Sequence, residues 1–172
     1  AHTTVGRYLD LFVDTLMLRK LEPCGANVGK RLVKSPKVYV RDSGIVHALL
    51  DIPDREALFG HPVLGASWEG FVIENLLAVG GDRVSGYFYR TSGGAEIDLV
   101  LSFQDGRLWA IEIKRGATPK VDRGFHEACR DLKPARKLVV CPTDESFPLG
   151  EGVTAMPLVQ LAQELAGALD GR

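Results

Sequence analysis

The chain has 172 residues, of which 45% are hydrophobic and 25% charged, and its formal net charge is −1 at pH 7. This composition is that of an ordinary globular domain, and the length excludes two large domains. No apolar run is long enough to cross a membrane, and the first residues lack a secretory signal pattern, so a cytoplasmic protein is expected. Because the chain begins with Ala1 and its first residues already resemble the middle of a domain, we also expect a fragment of a longer protein.

The cysteines and histidines give no sign of a disulfide framework or a zinc site. Cys24, Cys129 and Cys141 are far apart, none belongs to a C-x-x-C pair, and the four histidines are equally dispersed. An odd, scattered set of cysteines indicates reduced side chains that pack in the interior of a cytosolic protein.

The positive charge is concentrated near the amino terminus. Residues 1–50 contain eight Lys or Arg and four Asp or Glu, whereas residues 51–172 contain thirteen and eighteen. One stretch without acidic residues contains Lys30, Arg31, Lys34, Lys37 and Arg41. These side chains could contact the phosphates of DNA. A solvated loop and a surface for another protein are the alternatives.

The first predicted elements are a helix over residues 4–17 and a short strand over residues 16–21. Apolar residues recur at helical spacing in the former, and Thr3 or Thr4 is a suitable N-cap. A helix followed at once by a strand is typical of the end of a winged helix-turn-helix domain. The next segment, residues 25–31, resembles a phosphate-binding loop but has three residues between its glycines instead of four, and Arg31 stands where Ser or Thr would bind Mg²⁺. No ATP site is therefore expected.

The remaining elements predict a mixed α/β domain with one central sheet. Asp42 is expected to cap a short helix that ends near Leu50, and a loop follows over residues 51–62. Helices are predicted for residues 65–79, 121–132 and 157–169, and strands for residues 37–40, 84–89, 95–103, 108–114, 137–141 and 153–156.

The hairpin of residues 95–114 carries most of the candidate chemistry. Side chains alternate between the faces of a strand, so Glu96 and Asp98 are expected on one face of the first strand. Glu112 and Lys114 are expected to share a face of the second strand. The opposite face is expected to take the apolar residues Ile97, Leu99, Leu101, Trp109, Ile111 and Ile113.

The turn decides whether Asp98 meets Glu112, because a slip of one residue moves a side chain to the other face. A three-residue loop, 104–106, with Gly106 in the left-handed conformation would place Asp98 opposite Glu112 and Glu96 opposite Lys114. A two-residue loop would place Asp98 and Glu112 on opposite faces. Metal chemistry favours the longer loop.

Two carboxylates on neighbouring strands are suitable ligands for Mg²⁺ or Mn²⁺, and a lysine beside them could offset charge on a phosphate. Asp98, Glu112 and Lys114 fit these roles, although exposed charges at this spacing also arise by chance. Glu69 lies on the flank of an apolar stripe formed by Trp68, Phe71, Val72, Leu76 and Val79, from which it could lean toward the metal. The alternative is an interaction of Glu69 with the helix dipole.

Arg90 precedes the Asp98 strand within a Tyr-Arg-Thr-Ser-Gly-Gly segment. It could contact a phosphate of nucleic acid. A hairpin turn with a salt-bridged arginine is the alternative, and the residue types favour it.

Glu69 on a helix, Asp98, and Glu112-x-Lys114 together resemble the PD-(D/E)XK nuclease superfamily, the fold of restriction enzymes and archaeal Holliday-junction resolvases. Further segments resemble the uncharacterised C-terminal domain of prokaryotic AAA-family ATPases; these are residues 30–39, 42–44, 68–76, 89–91 and 96–98. The resemblance implies the C-terminal part of a winged helix-turn-helix and a linker in residues 1–36. It also implies a restriction-endonuclease-like domain in residues 37–172, with a central mixed sheet flanked by helices.

The resemblance further implies Glu69, Asp98, Glu112 and Lys114 as catalytic residues, with Mg²⁺ or Mn²⁺ on Asp98 and Glu112. DNA and the ATPase domain of the same full-length chain are the implied partners. Two functions stay open at this point: a metal-dependent DNA nuclease, and an inactive nuclease-fold module that binds DNA or a partner. The intact residue set favours the first, and the acidic balance of residues 51–172 favours the second.

Overall fold

A computed structural model describes residues 2–25 and 30–171 of the protein. The segment in which no ATP site is expected falls largely on residues 26–29 and so lies outside the described residues. The described helices are α1 (His2–Asp14), α2 (Ser43–Leu49), α3 (Arg55–Gly60), α4 (Leu64–Gly80), α5 (Arg123–Leu132) and α6 (Leu158–Leu169). The described strands are β1 (Leu18–Pro23), β2 (Lys37–Val40), β3 (Val84–Arg90), β4 (Glu96–Phe103), β5 (Leu108–Ile113), β6 (Arg136–Val140), β7 (Phe147–Gly150) and β8 (Val153–Met156).

Within the described residues, these strands form one eight-stranded mixed sheet in the order β2-β1-β3-β4-β5-β6-β8-β7. The pairs β1–β3, β5–β6 and β6–β8 are parallel, and the other neighbours are antiparallel. The mixed α/β class expected from the sequence is confirmed. None of the described helices is long and apolar enough to span a membrane.

Helices cover both faces of the sheet. On one face, Val72, Ile73 and Leu76 of α4 and Leu161 and Leu165 of α6 pack against buried residues of the strands. On the other face, Phe125, Ala128 and Cys129 of α5 pack against a second set of buried strand residues. The central strands are therefore buried on both sides, and polar side chains of β4 and β5 reach solvent only near the strand ends.

The predicted elements agree with the structure except in two segments. Residues 51–62 were expected to form a loop, but they contain α3, whose N-cap Asp54 accepts a hydrogen bond from the backbone N–H of Ala57 at 2.9 Å. The sequence also gave no indication of β7, a four-residue edge strand that contains Pro148. Both elements are too short for their periodicity to be recognised.

The apolar stripe expected on α4 is partly wrong. Phe71 is 42% exposed, whereas Ile73, which was not assigned to the stripe, is fully buried. The helix contacts α6 as well as the sheet, so its buried face is broader than a single stripe and is displaced toward Ile73.

The sheet crosses the domain boundary that was expected at residue 36. Strand β1 lies between β2 and β3 and pairs with both. Residues 18–23 are therefore part of the same sheet as the hairpin of residues 96–113, whatever the origin of the segment that contains them.

The expected alternation of side chains along β4 is wrong at its first residues. Tyr87 pairs with Val100, but Tyr89 pairs with Ile97, so β4 has one extra residue at this point. Such a bulge changes the direction of the side chains beside it. As a result Ile97 packs on the α5 face with Val100, while Leu99 and Leu101 pack on the α4 face. Asp98 lies at the bulge.

Candidate active site

The turn between β4 and β5 has the three-residue form that brings Asp98 and Glu112 together. The backbone N–H of Phe103 donates to Arg107 O at 2.9 Å, and Gly106 has a φ of 85°. The β4–β5 pairing runs from Ser102 with Leu108 to Leu99 with Ile111, which is the register expected for the longer loop, and Asp98 and Glu112 are the next residues of the two strands. A left-handed residue at the end of the loop is what glycine permits without strain.

The Asp98 carboxylate accepts a hydrogen bond from the backbone of β5 and forms an ion pair with Lys37. Its Oδ2 accepts a hydrogen bond from the backbone N–H of Ile113 at 3.0 Å, and its Oδ1 lies 3.5 Å from Lys37 Nζ. Burial and the negative charge of Glu69 raise the pKa of Asp98, and the Ile113 hydrogen bond and Lys37 oppose this shift. The site therefore holds a carboxylate whose charge is only partly compensated.

Glu112 is a buried carboxylate with one free oxygen. Glu112 as a whole is 8% exposed, and its Oε1 lies 3.0 Å from Lys114 Nζ. Oε2 is buried and has no hydrogen-bond partner among the described residues. Burial and the charge of Asp98 raise the pKa of Glu112 to about 7, against the opposing effect of Lys114. An unpartnered carboxylate oxygen beside a second carboxylate is the arrangement that a cation would stabilise.

Lys114 is held between two carboxylates at the end of β5. Its Nζ lies 3.0 Å from Glu112 Oε1 and 2.9 Å from Asp122 Oδ2. Burial works to lower the pKa of Lys114, but hydrogen bonds to Asp122 and Glu112 outweigh it and raise the pKa above its usual value. The side chain therefore remains an ammonium group throughout the neutral range.

Asp122 was not identified from the sequence. It occupies the N-cap position of α5, yet its side chain makes no capping hydrogen bond. Its carboxylate instead contacts Lys114. The helix was predicted to begin at residue 121, so Asp122 stood in its first turn, and an Asp at that position by itself indicates only a favourable interaction with the helix dipole.

Glu69 of α4 is held by two residues of β2. Its Oε1 accepts a hydrogen bond from Tyr39 Oη at 2.5 Å and lies 3.0 Å from Lys37 Nζ. Burial and the hydrogen bond to Glu69 raise the pKa of Tyr39, so the phenol stays protonated and remains a donor. The other α4 carboxylate, Glu74, has a side chain that is 16% exposed and is bound by Arg19 and Arg41.

Lys37 joins three carboxylates that lie on two elements, α4 and β4. Besides Glu69 and Asp98, its Nζ lies 3.4 Å from Glu96 Oε1. Burial works to lower the pKa of Lys37, but the charges of Glu69 and Asp98 outweigh burial and raise it. We call Lys37, Glu69, Glu96 and Asp98 the Lys37 cluster. The charge of Asp98 acts on Glu112, which is paired with Lys114, so electrostatic interactions link all four residues expected to be catalytic.

The other basic residues expected to contact DNA differ in their surroundings. Lys30 pairs with Asp131 at 2.7 Å, Arg41 pairs with Glu74, and Arg90 pairs with Glu96 at 3.2 Å. Arg31 and Lys34 have no ion pair with any described residue, and both line an open groove of about 790 Å³. Arg31 and Lys34 are therefore better placed than Lys37 or Arg41 to meet a phosphate.

The donor set fits a hard divalent cation with few protein ligands. The described parts of the chain contain no group of three or more His, Cys, Asp or Glu side chains suited to hold a metal. Mg²⁺ often binds through one or two carboxylates and completes its octahedron with water and substrate oxygens. Asp98 and Glu112 meet this requirement, whereas nothing in the site resembles a closed cage for zinc.

Comparison with known sequences places the site within a family of domains. The profile of DUF4143, described as a domain of unknown function, matches residues 64–161, more than half of the chain. The chain belongs to the DUF4143 family. A second profile, DUF8612, also described as a domain of unknown function, matches residues 1–56. Lys37 and Tyr39 lie in the second match and their partner Glu69 lies in the first, so the site draws on both segments.

Two curated relatives are uncharacterized mycobacterial proteins. Rv2008c of Mycobacterium tuberculosis and Mb2031c of Mycobacterium bovis are each 47% identical over 161 residues, which is 94% of this chain. The chain spans 36% of the length of each relative. No solved structure matches the chain.

Proposed function

We propose that this DUF4143 domain is a Mg²⁺- or Mn²⁺-dependent phosphodiesterase that acts on DNA. The observation that carries the proposal is the free, buried Oε2 of Glu112, which is close enough to Asp98 for the charge of that carboxylate to raise the pKa of Glu112. Leaving a buried charged oxygen unpaired costs at least about 1–3 kcal/mol, so the position calls for a cation or a proton. The resemblance of Glu69, Asp98 and Glu112-x-Lys114 to the PD-(D/E)XK superfamily supports a metal ion.

Asp98 and Glu112 would hold the ion, and when bound it would polarise a phosphodiester and lower the pKa of water. Lys114 then contributes a fixed positive charge. Its ammonium group is oriented by Glu112 and Asp122, which leaves a third N–H to face the attacked phosphate or the attacking water. Glu69, fixed by Tyr39, supplies negative charge next to Asp98 and helps to position the ligands.

The substrate proposed for the site is DNA, and the proposed partner is the ATPase domain of the same full-length chain. Arg31 and Lys34 supply unpaired positive charge for a DNA backbone. Because the chain spans only about a third of its curated relatives, the complete protein has room for the winged helix and AAA-family ATPase that the family resemblance implies. We propose that the ATPase controls access of DNA to the site.

One observation favours a second function, that of an inactive module that binds DNA or a protein. Lys37 Nζ lies within 3.5 Å of three carboxylates, so part of the negative charge is already neutralised without a metal. In this alternative the Lys37 cluster is a structural ion-pair network, and ATP hydrolysis is the only chemistry of the complete protein.

The deciding experiment compares DNA cleavage by the full-length protein and its Glu112→Gln and Lys114→Met variants, with ATP and with Mg²⁺ or Mn²⁺. Removal of one charge-stabilising group from such a site typically lowers kcat by about 100- to 1000-fold. Glu145→Gln, in an exposed loop, is the matched control and should cleave like the wild type. Equal cleavage by wild type and Glu112→Gln would assign the domain to the binding function.

A further inference from the structure

An apolar cavity of about 240 Å³ lies beside the candidate active site, lined by Phe59, Leu64, Trp68, Arg115 and Pro142. Two of these residues are direct neighbours of site residues, because Trp68 precedes Glu69 and Arg115 follows Lys114. The indole N–H of Trp68 also donates to the backbone carbonyl of Lys114 at 3.1 Å. Trp68 therefore both lines the cavity and contacts the backbone of the candidate active site.

The cavity exposes aromatic surface that the fold does not cover. Phe59 is 60% exposed. Trp68 stacks against Phe71, with 6.0 Å between ring centroids and 24° between planes, and Phe71 is itself 42% exposed. The volume is below the range of about 300–1,000 Å³ that accommodates drug-sized ligands, so the cavity suits a single planar ring system.

Positive charge surrounds this aromatic surface. The Arg55 guanidinium lies 5.1 Å from the centroid of the Phe59 ring, and Arg115 forms one wall of the cavity. Neither arginine has an ion pair with any carboxylate of the described residues, in contrast to Arg19 and Arg41. These two charges are therefore available to an anionic ligand.

The start of α4 adds to the positive field at the cavity. Leu64, a lining residue, is the first residue of this 17-residue helix, whose first turn contains no acidic residue and whose N-cap Val63 makes no side-chain capping bond. The amino end of a helix carries partial positive charge and favours phosphate groups. In the sequence, Arg55 precedes the first residue of α4 and Arg115 follows the helix.

We propose that the cavity binds one unpaired nucleobase of a DNA strand, with the flanking phosphates at Arg115 and Arg55. The proposal rests on the phosphodiesterase function and specifies its substrate. A base inside an intact duplex is stacked on both faces and cannot enter the cavity without being extruded. The preferred substrate is therefore a single strand or a flap with an unpaired nucleotide next to the phosphate at Lys114. Aromatic stacking is tolerant of sequence, so little base preference is expected.

Trp68 provides a direct test by fluorescence that does not require cleavage. The chain has two tryptophans, and Trp109 is 3% exposed in the core. In the full-length protein carrying Trp109→Phe and any native tryptophans outside this domain replaced by Phe, an eight-nucleotide single strand added in EDTA should quench the Trp68 emission. A blunt duplex of the same length should not. If Trp109→Phe fails to fold, anisotropy of a labelled single strand with the otherwise unmodified protein gives the same comparison.

Variants of the cavity and matched control variants test whether the single strand binds at the cavity. Phe59→Ala should weaken single-strand binding by about 5- to 150-fold, the usual range for loss of one base–aromatic contact. Arg115→Ala removes a phosphate contact, so it should also weaken binding and reduce its dependence on salt. Tyr8→Ala and Arg7→Ala change residues of the same types on α1, where Tyr8 is 62% exposed, and should leave the affinity unchanged. A single abasic position moved along the oligonucleotide should lower the affinity at one register only.

The results separate this proposal from the function on which it rests. Absence of Trp68 quenching, or equal affinity of Phe59→Ala and Tyr8→Ala, overturns the base pocket, even where Glu112→Gln abolishes cleavage. Quenching with the expected Phe59 and Arg115 losses supports the pocket, even where cleavage does not depend on Glu112. A cavity that instead receives a side chain of a protein partner would show no response to any of these oligonucleotides.

Discussion

The ammonium group of Lys37 lies 3.5 Å from Oδ1 of Asp98, one of the two carboxylates proposed to hold the metal. The same ammonium contacts Glu69 at 3.0 Å. A positive charge at this distance repels an incoming divalent cation and at the same time lowers the repulsion between the carboxylates. Metal affinity and metal-free stability therefore oppose each other at this residue.

Replacing Lys37 should separate the two effects. We expect Lys37→Met to bind Mn²⁺ on the order of tenfold more tightly, a change of about 1.4 kcal/mol, because the competing charge is gone. The metal-free variant should unfold at lower urea concentration than the wild type. Isothermal titration and urea denaturation measure the two quantities. Lys34→Met, at an exposed position without an ion pair to any described residue, is the control.

Glu112 should make the stability of the metal-free protein depend on pH. Its folded pKa of about 7 lies above the usual glutamate pKa of 4.5, so the native state retains a proton that the unfolded chain releases. The resulting stabilisation is present below about pH 4.5 and is lost as the pH rises to about 7. The full loss is roughly 3 kcal/mol, from 1.36 kcal/mol per pKa unit.

Urea denaturation at pH 5.5 and pH 8 in EDTA measures this dependence. Glu112→Gln should remove most of the difference between the two pH values and should be more stable than wild type at pH 8. Glu145→Gln should keep the wild-type dependence. A pH dependence that persists unchanged in Glu112→Gln would show that Glu112 is ionised throughout this range.

Asp122 should act as a positioning residue for Lys114. The Asp122 side chain is 72% exposed and the two groups are 2.9 Å apart, so the pair itself should add little stability. We expect Asp122→Asn to retain the fold and to lower kcat of DNA cleavage by less than tenfold, far less than Lys114→Met. A loss equal to that of Lys114→Met would instead make Asp122 a catalytic residue. Steady-state kinetics of the three proteins decide between these outcomes.

The packing of α5 against the β3–β4 turn should tolerate no side chain at Gly124. A Cβ atom there would lie 2.4 Å from the carbonyl oxygen of Gly94, which is backbone and cannot rotate away. We expect Gly124→Ala to destabilise the protein by about 1–3 kcal/mol, the usual cost of overpacking. Gly167→Ala, in α6 where a Cβ would meet nothing within 4 Å, should stabilise it by up to about 1 kcal/mol. Thermal denaturation of both variants is the measurement.

The positions of the longer elements could be predicted from the sequence alone. Periodicity located α4, β4 and β5 to within a few residues, because long elements bury enough side chains to leave a pattern. The sequence left a two-residue and a three-residue loop open at Gly106, and the structure has the three-residue form with Leu99 paired to Ile111. These features are local, since each depends on residues that are close together in the chain.

Only the tertiary structure decided which charges meet. Lys37 is 32 residues from Glu69, and the basic run that contains it was interpreted as a contact with DNA, a solvated loop or a surface for another protein, none of which predicts its ion pairs with carboxylates. Three further features depend on how β2, α4 and α5 pack on the sheet. They are the bulge in β4, the contact of Asp122 with Lys114, and the aromatic cavity at Trp68. Side-chain pairs between elements that are distant in sequence leave no periodic trace in one sequence, because either partner taken alone looks like an ordinary surface charge.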